Sequence, residues 1–299
     1  MAVRVATFNV ENLFARYRFR SNFDPLVANG FMINDTAFDI QSDESKRITA
    51  KAIREIDADI VCLQEIENLT VLERFNSQRL GGMDYTHRML VDSHDPRQID
   101  VAVLSRFPIT YIQSHRQERN AANTSWLFSR DCLEIDIDVN GKTLSLYINH
   151  FKSMIGGRDA TRDRRLEQVG RTREIIDGWW QPSNFEGNYA VLGDFNDYPE
   201  DNSSLAQLLD HPNLVNVVER LPADERWTHF FAGGNEYRQL DFILLSETLA
   251  DANANMPEIM RKGLPWRADR YAGERFPEVG ERVPKASDHA PLVMELELV

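Results

Sequence analysis

Apolar and polar positions alternate over short runs along most of the chain. The runs "VRVATFNV", "ADIVCLQE", "YTHRMLV", "DVAVLSR", "ITYIQS", "CLEIDIDV", "TLSLYINH", "YAVLGD", "DFILLS" and "PLVMELEL" are rich in β-branched or aromatic residues and bounded by turn formers, which predicts strands. Alternation in "LEIDIDV" predicts one wet face, whereas "AVLSR" and "YAVLG" are apolar throughout and predict burial on both faces. Asn140-Gly141, between "CLEIDIDV" and "KTLSLYIN", is the strongest short hairpin signal.

Helical spacing is less frequent. Ser42 or Asp43 can cap a helix running to about Ile56, with Ile48, Ala52 and Ile56 on one stripe. A second helix is expected after Asn68. A third runs from near Thr161 to Trp180, where Leu166, Val169, Ile176 and Trp180 share a face, and a short fourth follows Asp201 or Asn202. Many strands, interspersed helices and a central antiparallel hairpin predict an α/β fold of two packed mixed β-sheets flanked by helices. The stretch 257–287, full of Pro, Gly and charge, has the composition of a functional or mobile connection.

Composition narrows this further. The 299 residues are 42% hydrophobic and 27% charged, with no Pro/Ser/Gly linker, low-complexity tract or internal repeat, so 1–299 is expected to be a single domain. Cys62 and Cys132 lie in strand-like runs and read as buried thiols rather than a disulfide or metal pair. "MAVRVATFNV" lacks signal-peptide features and no apolar run is long enough to span a bilayer, so a cytoplasmic protein is expected.

Net charge is −13 and the pI is near 5.0, which counts against broad, non-specific binding to duplex nucleic acid. A phosphate-bearing substrate stays open, because a divalent cation reverses the local field and basic residues can gather on one side. Arg158, Arg162, Arg164, Arg165 and Arg171 follow Lys152, and Lys262, Arg267, Arg270, Arg275 and Arg282 lie between Arg261 and Lys285. Both stretches also carry acids, so solvated surface charge is the simpler reading of most of these residues.

The candidate chemistry lies at strand ends. Asn9 and Glu11 follow "RVATF", Gln64 and Glu65 follow "DIVCL", Asn149 and His150 follow "LSLYI", and Asp194 and Asn196 follow "YAVLG". Asp241 opens "DFILLS", and Asp288 with His289 precedes "PLVMELEL". Turn formation or capping accounts for any one of them alone. Two histidines and two glutamates in the same placement have no such reason. Carboxylate and amide oxygens are hard ligands suited to Mg2+ or Mn2+, and imidazoles can neutralise charge developing on a phosphate.

The ordered series "TFNVENL", "LQEIE", "NHFKS", "GDFND", "QLDFILL" and "SDHAPL" resembles the endonuclease/exonuclease/phosphatase superfamily, which includes deoxyribonucleases, abasic-site endonucleases, neutral sphingomyelinases and inositol polyphosphate 5-phosphatases. The match runs from Asn9 to His289. Lys152 in "NHFKS", followed by the Arg-rich helix, is similar to a bacterial nuclease-like branch. The resemblance implies a four-layer α/β sandwich with its site at one edge. It implies metal ligation by Glu65 and Asn9, with Glu11 and Asp288 close by. Asp194 and Asn196 then orient or deprotonate water, His289 supported by Asp241 faces the phosphate, and His150 does so in some branches. Substrate contacts are implied for Asn149, Lys152 and Arg165. Whether Asp194 or His289 is the base stays open at this stage.

The expected activity is divalent-metal-dependent phosphodiester hydrolysis, with Mg2+ as cofactor and Mn2+ as a substitute, on nucleic acid or a nucleotide, by a monomer. "EYRQLDFILL" replaces the Trp-Cys-Asp-Arg run usual in inositol phosphatases, and the acidic balance disfavours an abasic-site nuclease. The alternative is monoester or sphingomyelinase-like phospholipid hydrolysis, with Trp179, Trp180, Trp266 and Phe276 as an apolar lip. A non-catalytic binding protein has little support, since no motif has lost its key polar residue.

Overall fold

The computed structural model describes residues 2–14, 30–33, 36–39 and 41–299. The chain opens with strand β1 (Ala2–Leu13) and a two-stranded ribbon of β2 (Gly30–Ile33) and β3 (Thr36–Asp39), then helix α1 (Asp43–Ile56). β4 (Ile60–Ile66), α2 (Leu69–Arg79), β5 (His87–Leu90), β6 (Asp100–Ser105) and β7 (Ile109–Ser114) follow. β8 (Cys132–Val139) and β9 (Lys142–His150) lead into α3 (Arg162–Trp180), β10 (Tyr189–Asp194) and the single turn α4 (Ala206–Leu209). The last part holds β11 (Leu214–Asn216), the ribbon β12 (His229–Phe231) and β13 (Glu236–Arg238), β14 (Asp241–Ser246), α5 (Glu247–Ala252), β15 (Glu258–Ile259) and β16 (Leu292–Glu297).

Two mixed six-stranded sheets result, ordered β15-β16-β1-β4-β6-β5 and β11-β14-β10-β9-β8-β7. Each has a parallel pair at its centre, β1 with β4 and β9 with β10, and antiparallel pairs elsewhere. Period-2 alternation sends Val3, Val5, Ile60 and Cys62 of the first sheet against Leu144, Leu146, Ala190 and Leu192 of the second. The intervening residues of the first sheet, among them Ala6, Phe8, Val61 and Leu63, pack on Ile48, Ala52 and Ile56 of α1 and Leu72 of α2. Tyr147, Val191 and Phe242 of the second pack on Val169 and Ile176 of α3. The molecule is thus the four-layer α/β sandwich expected.

All the predicted strand runs form strands, and Ser42 caps α1 by accepting from Ser45 N at 3.1 Å. Asn68 caps α2 in the same way through Val71 N at 3.0 Å; each such bond is worth about 1 kcal/mol. Both cysteines are buried and unpaired. The buried face of α3 differs from expectation. Arg165, Gln168 and Thr172 share it with Val169 and Ile176, while Leu166 is only half-buried. Polar residues go under here because each finds a partner: Gln168 takes the Lys152 amide at 2.8 Å and donates to Leu127 O at 3.0 Å. The stretch 257–287 is knotted by Arg275, whose guanidinium donates to the carbonyls of Leu264, Ala268 and Tyr271. Among the described residues no helix is long and apolar enough to cross a membrane.

Candidate active site

The same alternation that builds the inter-sheet core builds the site. Continuing Val3 and Val5 by two residues gives Thr7 and then Asn9; continuing Ile60 and Cys62 gives Gln64. On the second sheet Leu144, Leu146 and Ile148 lead to His150, Ala190 and Leu192 lead to Asp194, and Leu245 and Ile243 lead back to Asp241. At one edge of the sandwich the inward positions therefore turn from apolar to polar. Register aligns them: Asn9 pairs with Gln64, and Asp194 sits between His150 and Asp241.

Two backbone devices aim the remaining groups. A bulge in β1 between Asn9 and Leu13 puts Glu11 (φ 51°) and Asn12 (φ 63°) in the left-handed region, and Glu65 (φ 69°) does the same where β4 shifts register against β6. Left-handed geometry is costly for residues with a Cβ and persists where surrounding bonds hold it. Glu11 N donates to Asn9 Oδ1 at 3.0 Å and Asn12 N to Glu65 Oε2 at 2.9 Å. The second device is Gly193. A Cβ there would lie 1.9 Å from Asn149 O, so only glycine lets β10 run beside β9 into Asp194.

The centre of the site is one carboxylate. Asp194 Oδ2 accepts from Asn9 Nδ2 at 3.0 Å and Asn196 Nδ2 at 3.0 Å, and Oδ1 accepts from Asn196 N at 2.9 Å. The same Oδ2 lies 3.5 Å from His150 Nε2 and 3.9 Å from His289 Nε2. His289 Nδ1 is 2.8 Å from Asp241 Oδ2, and Thr228 Oγ1 fixes Asp241 by accepting from its amide at 3.0 Å. Glu65 Oε1 stands 3.8 Å from His150 Nε2.

Burial raises the Asp194 carboxyl to about 7, helped by Asp241 and opposed by His289 and the Asn9 amide. Burial would lower His289, but Asp241 and Asp194 hold it well above its ordinary value. Burial together with Arg130 and Arg97 drives His150 well below its own. Two imidazoles facing one carboxylate are thus pushed in opposite directions, His289 toward its protonated form and His150 toward its neutral one. Glu11 is raised to about 7 by burial and by Asp288.

A cleft of about 1090 Å³ opens over these groups, lined by Asn9, Glu11, Glu65, His150, Asp194, Asn196, Asp288 and His289, with Arg97, Arg158, Arg238 and Lys285 on its walls. Its donors fit a hard divalent ion. Glu65 Oε2 is engaged while Oε1 faces a neutral imidazole beyond hydrogen-bonding distance, and Asp241 Oδ1 is buried without a partner. Among the described residues, donor atoms of His229, Asp288 and His289, and of Asp194, Asp241 and His289, fall within 4.8 Å of one another. The latter set is already knit by the His289–Asp241 bond.

Three expected substrate contacts lie elsewhere. Asn149 has the opposite parity to His150, so its side chain faces α3 and accepts from Thr172 Oγ1 at 3.3 Å. Lys152 is half-buried and does not line the cleft. Arg165 is fully buried; it donates to Thr161 Oγ1 at 2.6 Å, Arg158 O at 2.7 Å and Lys152 O at 3.2 Å, tying α3 to the loop after β9. The supposed apolar lip also dissolves. Trp180 stacks on Tyr189, at the far end of β10 from Asp194, Trp179 stands by Tyr111 of β7, and neither Trp266 nor Phe276 lines the cleft. Exposed Ile155, Phe231 and Val283 line it instead.

Sequence reading missed His229, Thr228, Arg97, Arg130 and Lys285. His229 packs against His289 with ring centroids 4.5 Å apart, and buried Arg130 donates to Asp95 Oδ2 at 2.9 Å and Phe151 O at 2.6 Å beneath the cleft. The "WTHFF" run offered a signal, a polar pair inside an apolar stretch.

Comparisons agree with the geometry. No curated protein matches the chain. Among solved structures, the human Nocturnin catalytic domain with bound sulfate is 15% identical, with a TM-score of 0.63 over 100% of this chain and 95% of that one. D. rerio TDP2 complexed with single strand DNA product is 15% identical, with a TM-score of 0.61 and 99% of both chains covered. Staphylococcus aureus beta toxin 275-280 is 16% identical, with a TM-score of 0.60 and 99% of both covered. At these identities the likeness is one of fold. A family model described as Endonuclease/Exonuclease/phosphatase family matches residues 4–271, which takes in both sheets except β16 and the first two residues of β1. With that match over most of its length, the chain belongs to the endonuclease/exonuclease/phosphatase family.

Proposed function

We propose that the protein is a divalent-metal-dependent phosphodiester hydrolase acting on nucleic acid or nucleotides. The observation that carries this is the convergence on Asp194 Oδ2 of Asn9, Asn196, His150 and His289, all within 3.9 Å. Two amides fix the carboxylate's orientation, and a carboxyl raised to about 7 is suited to take a proton from water near neutral pH. The protonated state of His289 favours this assignment over the reverse, since an imidazolium cannot accept the proton but can offset charge on phosphoryl oxygens. Asp241 fixes its ring through Nδ1, leaving Nε2 toward the cleft. Neutral His150 supplies a hydrogen bond without adding charge.

Glu65 and Asn9, with Glu11 and Asp288 near, would hold Mg2+ or Mn2+, which when bound polarises a non-bridging phosphate oxygen and steadies the leaving oxygen. Arg97, Arg158 and Arg238 on the walls support a polyanionic substrate, as does the single strand DNA product bound by the similar TDP2 structure. Exposed Ile155, Phe231 and Val283 support phospholipid cleavage as the second reading. The reading takes 1–299 as one catalytic domain, working as a cytoplasmic monomer; the core shared by both sheets supports the first of these.

The test is hydrolysis of bis-p-nitrophenyl phosphate with Mg2+, followed by single-stranded DNA, duplex DNA, RNA, sphingomyelin and inositol phosphates. EDTA-sensitive turnover that is fastest on a nucleic acid is expected. Preference for sphingomyelin would favour the second reading, and silence on every substrate would overturn both.

A further inference from the structure

We infer that the cleft face of the β12–β13 ribbon is a nucleotide subsite: Phe231 stacks the base beside the scissile phosphate, and Arg158 and Arg238, held over Tyr198, grip the adjoining phosphate. This rests on the hydrolase reading above and deepens it, making the substrate a single strand.

The ribbon has two distinct faces. Paired residues of an antiparallel ribbon point the same way, and neighbours along a strand point oppositely. His229 pairs with Arg238 and Phe231 with Glu236, and all four line the cleft. The middle pair, Phe230 and Tyr237, faces away and packs with Trp227 and Leu264. The ribbon is also bonded to the catalytic edge: Phe230 N donates to Asp288 O at 2.9 Å, and His229 bridges His289. Phe231 lies two residues beyond that bridge, about 7 Å along the strand. That is the reach of one nucleotide from a phosphate facing His289.

Phe231 serves no core. It is 53% exposed while Phe230 is buried, and Gly233 in the turn leaves room for its ring, since a Cβ there would lie 2.7 Å from Cζ. An aromatic ring held open on a cleft wall is a stacking surface, because every base has a π-face. A lipid tail would need a continuous apolar patch, and this face offers one apolar side chain beside His229, Glu236 and Arg238.

The charge next to it is placed for a phosphate. The guanidiniums of Arg158 and Arg238 lie 3.9 and 4.6 Å from the centre of the Tyr198 ring, a cation–π contact that holds both. Arg158 Nε donates to Asp197 Oδ1 at 2.7 Å, and that buried carboxylate accepts in turn from Ser204 N at 2.9 Å. Arg238 Nη1 donates to Glu200 Oε1 at 3.2 Å, and this exposed, water-screened pair yields readily to a phosphate. Among the described residues, Arg158 Nη2 and Arg238 Nε are buried with no hydrogen-bond partner. Phosphate oxygens satisfy such donors. A base can lie on Phe231 only after leaving a duplex partner, so ring and guanidiniums together select an unpaired strand.

The experiment measures, by fluorescence anisotropy, how the full Asp194→Asn chain with Mg2+ binds a short oligothymidylate, an abasic strand of equal length and the matching duplex. The oligothymidylate should bind roughly tenfold tighter than the abasic strand, and tighter than the duplex. Adding Phe231→Ala should erase the first difference, and Phe231→Trp should keep it. Arg238→Gln should weaken both single strands and flatten the slope of log Kd against log salt by about 0.7, the share of one phosphate. Circular dichroism checks folding, and the comparison of base-bearing with abasic strand decides the matter even if a variant does not fold. Equal affinity for those two strands, a difference that survives in folded Phe231→Ala, an unmoved salt slope, tighter binding of duplex or of sphingomyelin vesicles, or no binding at all would each overturn the inference. Wild-type turnover of bis-p-nitrophenyl phosphate would then leave the hydrolase reading standing; its absence would bring down the reading and the inference together.

Discussion

Asp194 and Asp241 are register partners across β10 and β14, and His289 bridges them, with Nδ1 2.8 Å from Asp241 and Nε2 3.9 Å from Asp194. Two buried acids so close would repel each other were it not for the imidazolium between them. The arrangement holds the His289 imidazole well above its ordinary value, while burial leaves Asp194 raised to about 7. It also divides the labour: Asp241 serves the histidine, and Asp194 faces the cleft.

Replacing Asp194 by Asn keeps the shape and removes the proton acceptor. Turnover of bis-p-nitrophenyl phosphate by Asp194→Asn should fall by roughly 10²–10⁴, the range for a lost general base. Circular dichroism should be unchanged. Turnover within threefold of wild type would take Asp194 out of the chemistry.

Replacing Asp241 by Asn removes the charge that keeps His289 protonated. A raised imidazole is cationic at low pH and loses its proton as pH climbs through its folded value, so activity that needs the cation declines on the basic side. In Asp241→Asn the pKa of His289 drops and that basic limb should move to lower pH, read from kcat/KM against pH. A limb that stays in place would show that His289 is not the group being titrated.

The Gly193 requirement yields a packing prediction. In Gly193→Ala the new Cβ would lie 1.9 Å from Asn149 O, where only backbone movement can relieve it, at a φ of 135° that disfavours a side chain. Overpacking of this kind costs about 1–3 kcal/mol or more, which for a chain of this size lowers Tm by roughly 5 °C. A Tm within 1 °C of wild type would mean that β9 and β10 can part at no cost.

The sheets and their site edge were legible because both depend on period-2 alternation, a local property of each run. "YAVLGD" shows inward Ala190 and Leu192 followed by Asp194, and "SLYINH" shows Leu146 and Ile148 followed by His150. Alternation applied one step further would have placed Asn149 on the α3 side. Arg165 failed for a different reason. An arginine in a charged helix reads as solvated, and it is the acceptors at Thr161, Arg158, Lys152 and Ser204, with the Asp197 carboxylate 3.6 Å away, that let it go under. Lys285 belongs to an irregular segment and His229 opens the short ribbon strand β12, and the directions of both side chains follow from long-range contacts that no spacing encodes.

Asp100 gives a stability test away from the chemistry. It opens β6, is 3% exposed, and accepts from Ser93 N at 3.0 Å. Burial, reinforced by Asp92, Asp95 and Asp131 against that one hydrogen bond, raises its carboxyl from 3.8 to about 7. Between those two values the folded state holds a proton that the unfolded chain has released, so stability declines as pH rises from about 4 to about 7 and stays diminished above it. Asn at this position keeps the acceptor for Ser93 and has no charge to bury. Asp100→Asn should therefore be more stable than wild type at pH 8, by up to a few kcal/mol, and indistinguishable from it near pH 4. Urea unfolding at the two pH values measures both. A variant less stable than wild type at pH 8 would show that the carboxylate is charged and satisfied in the folded protein.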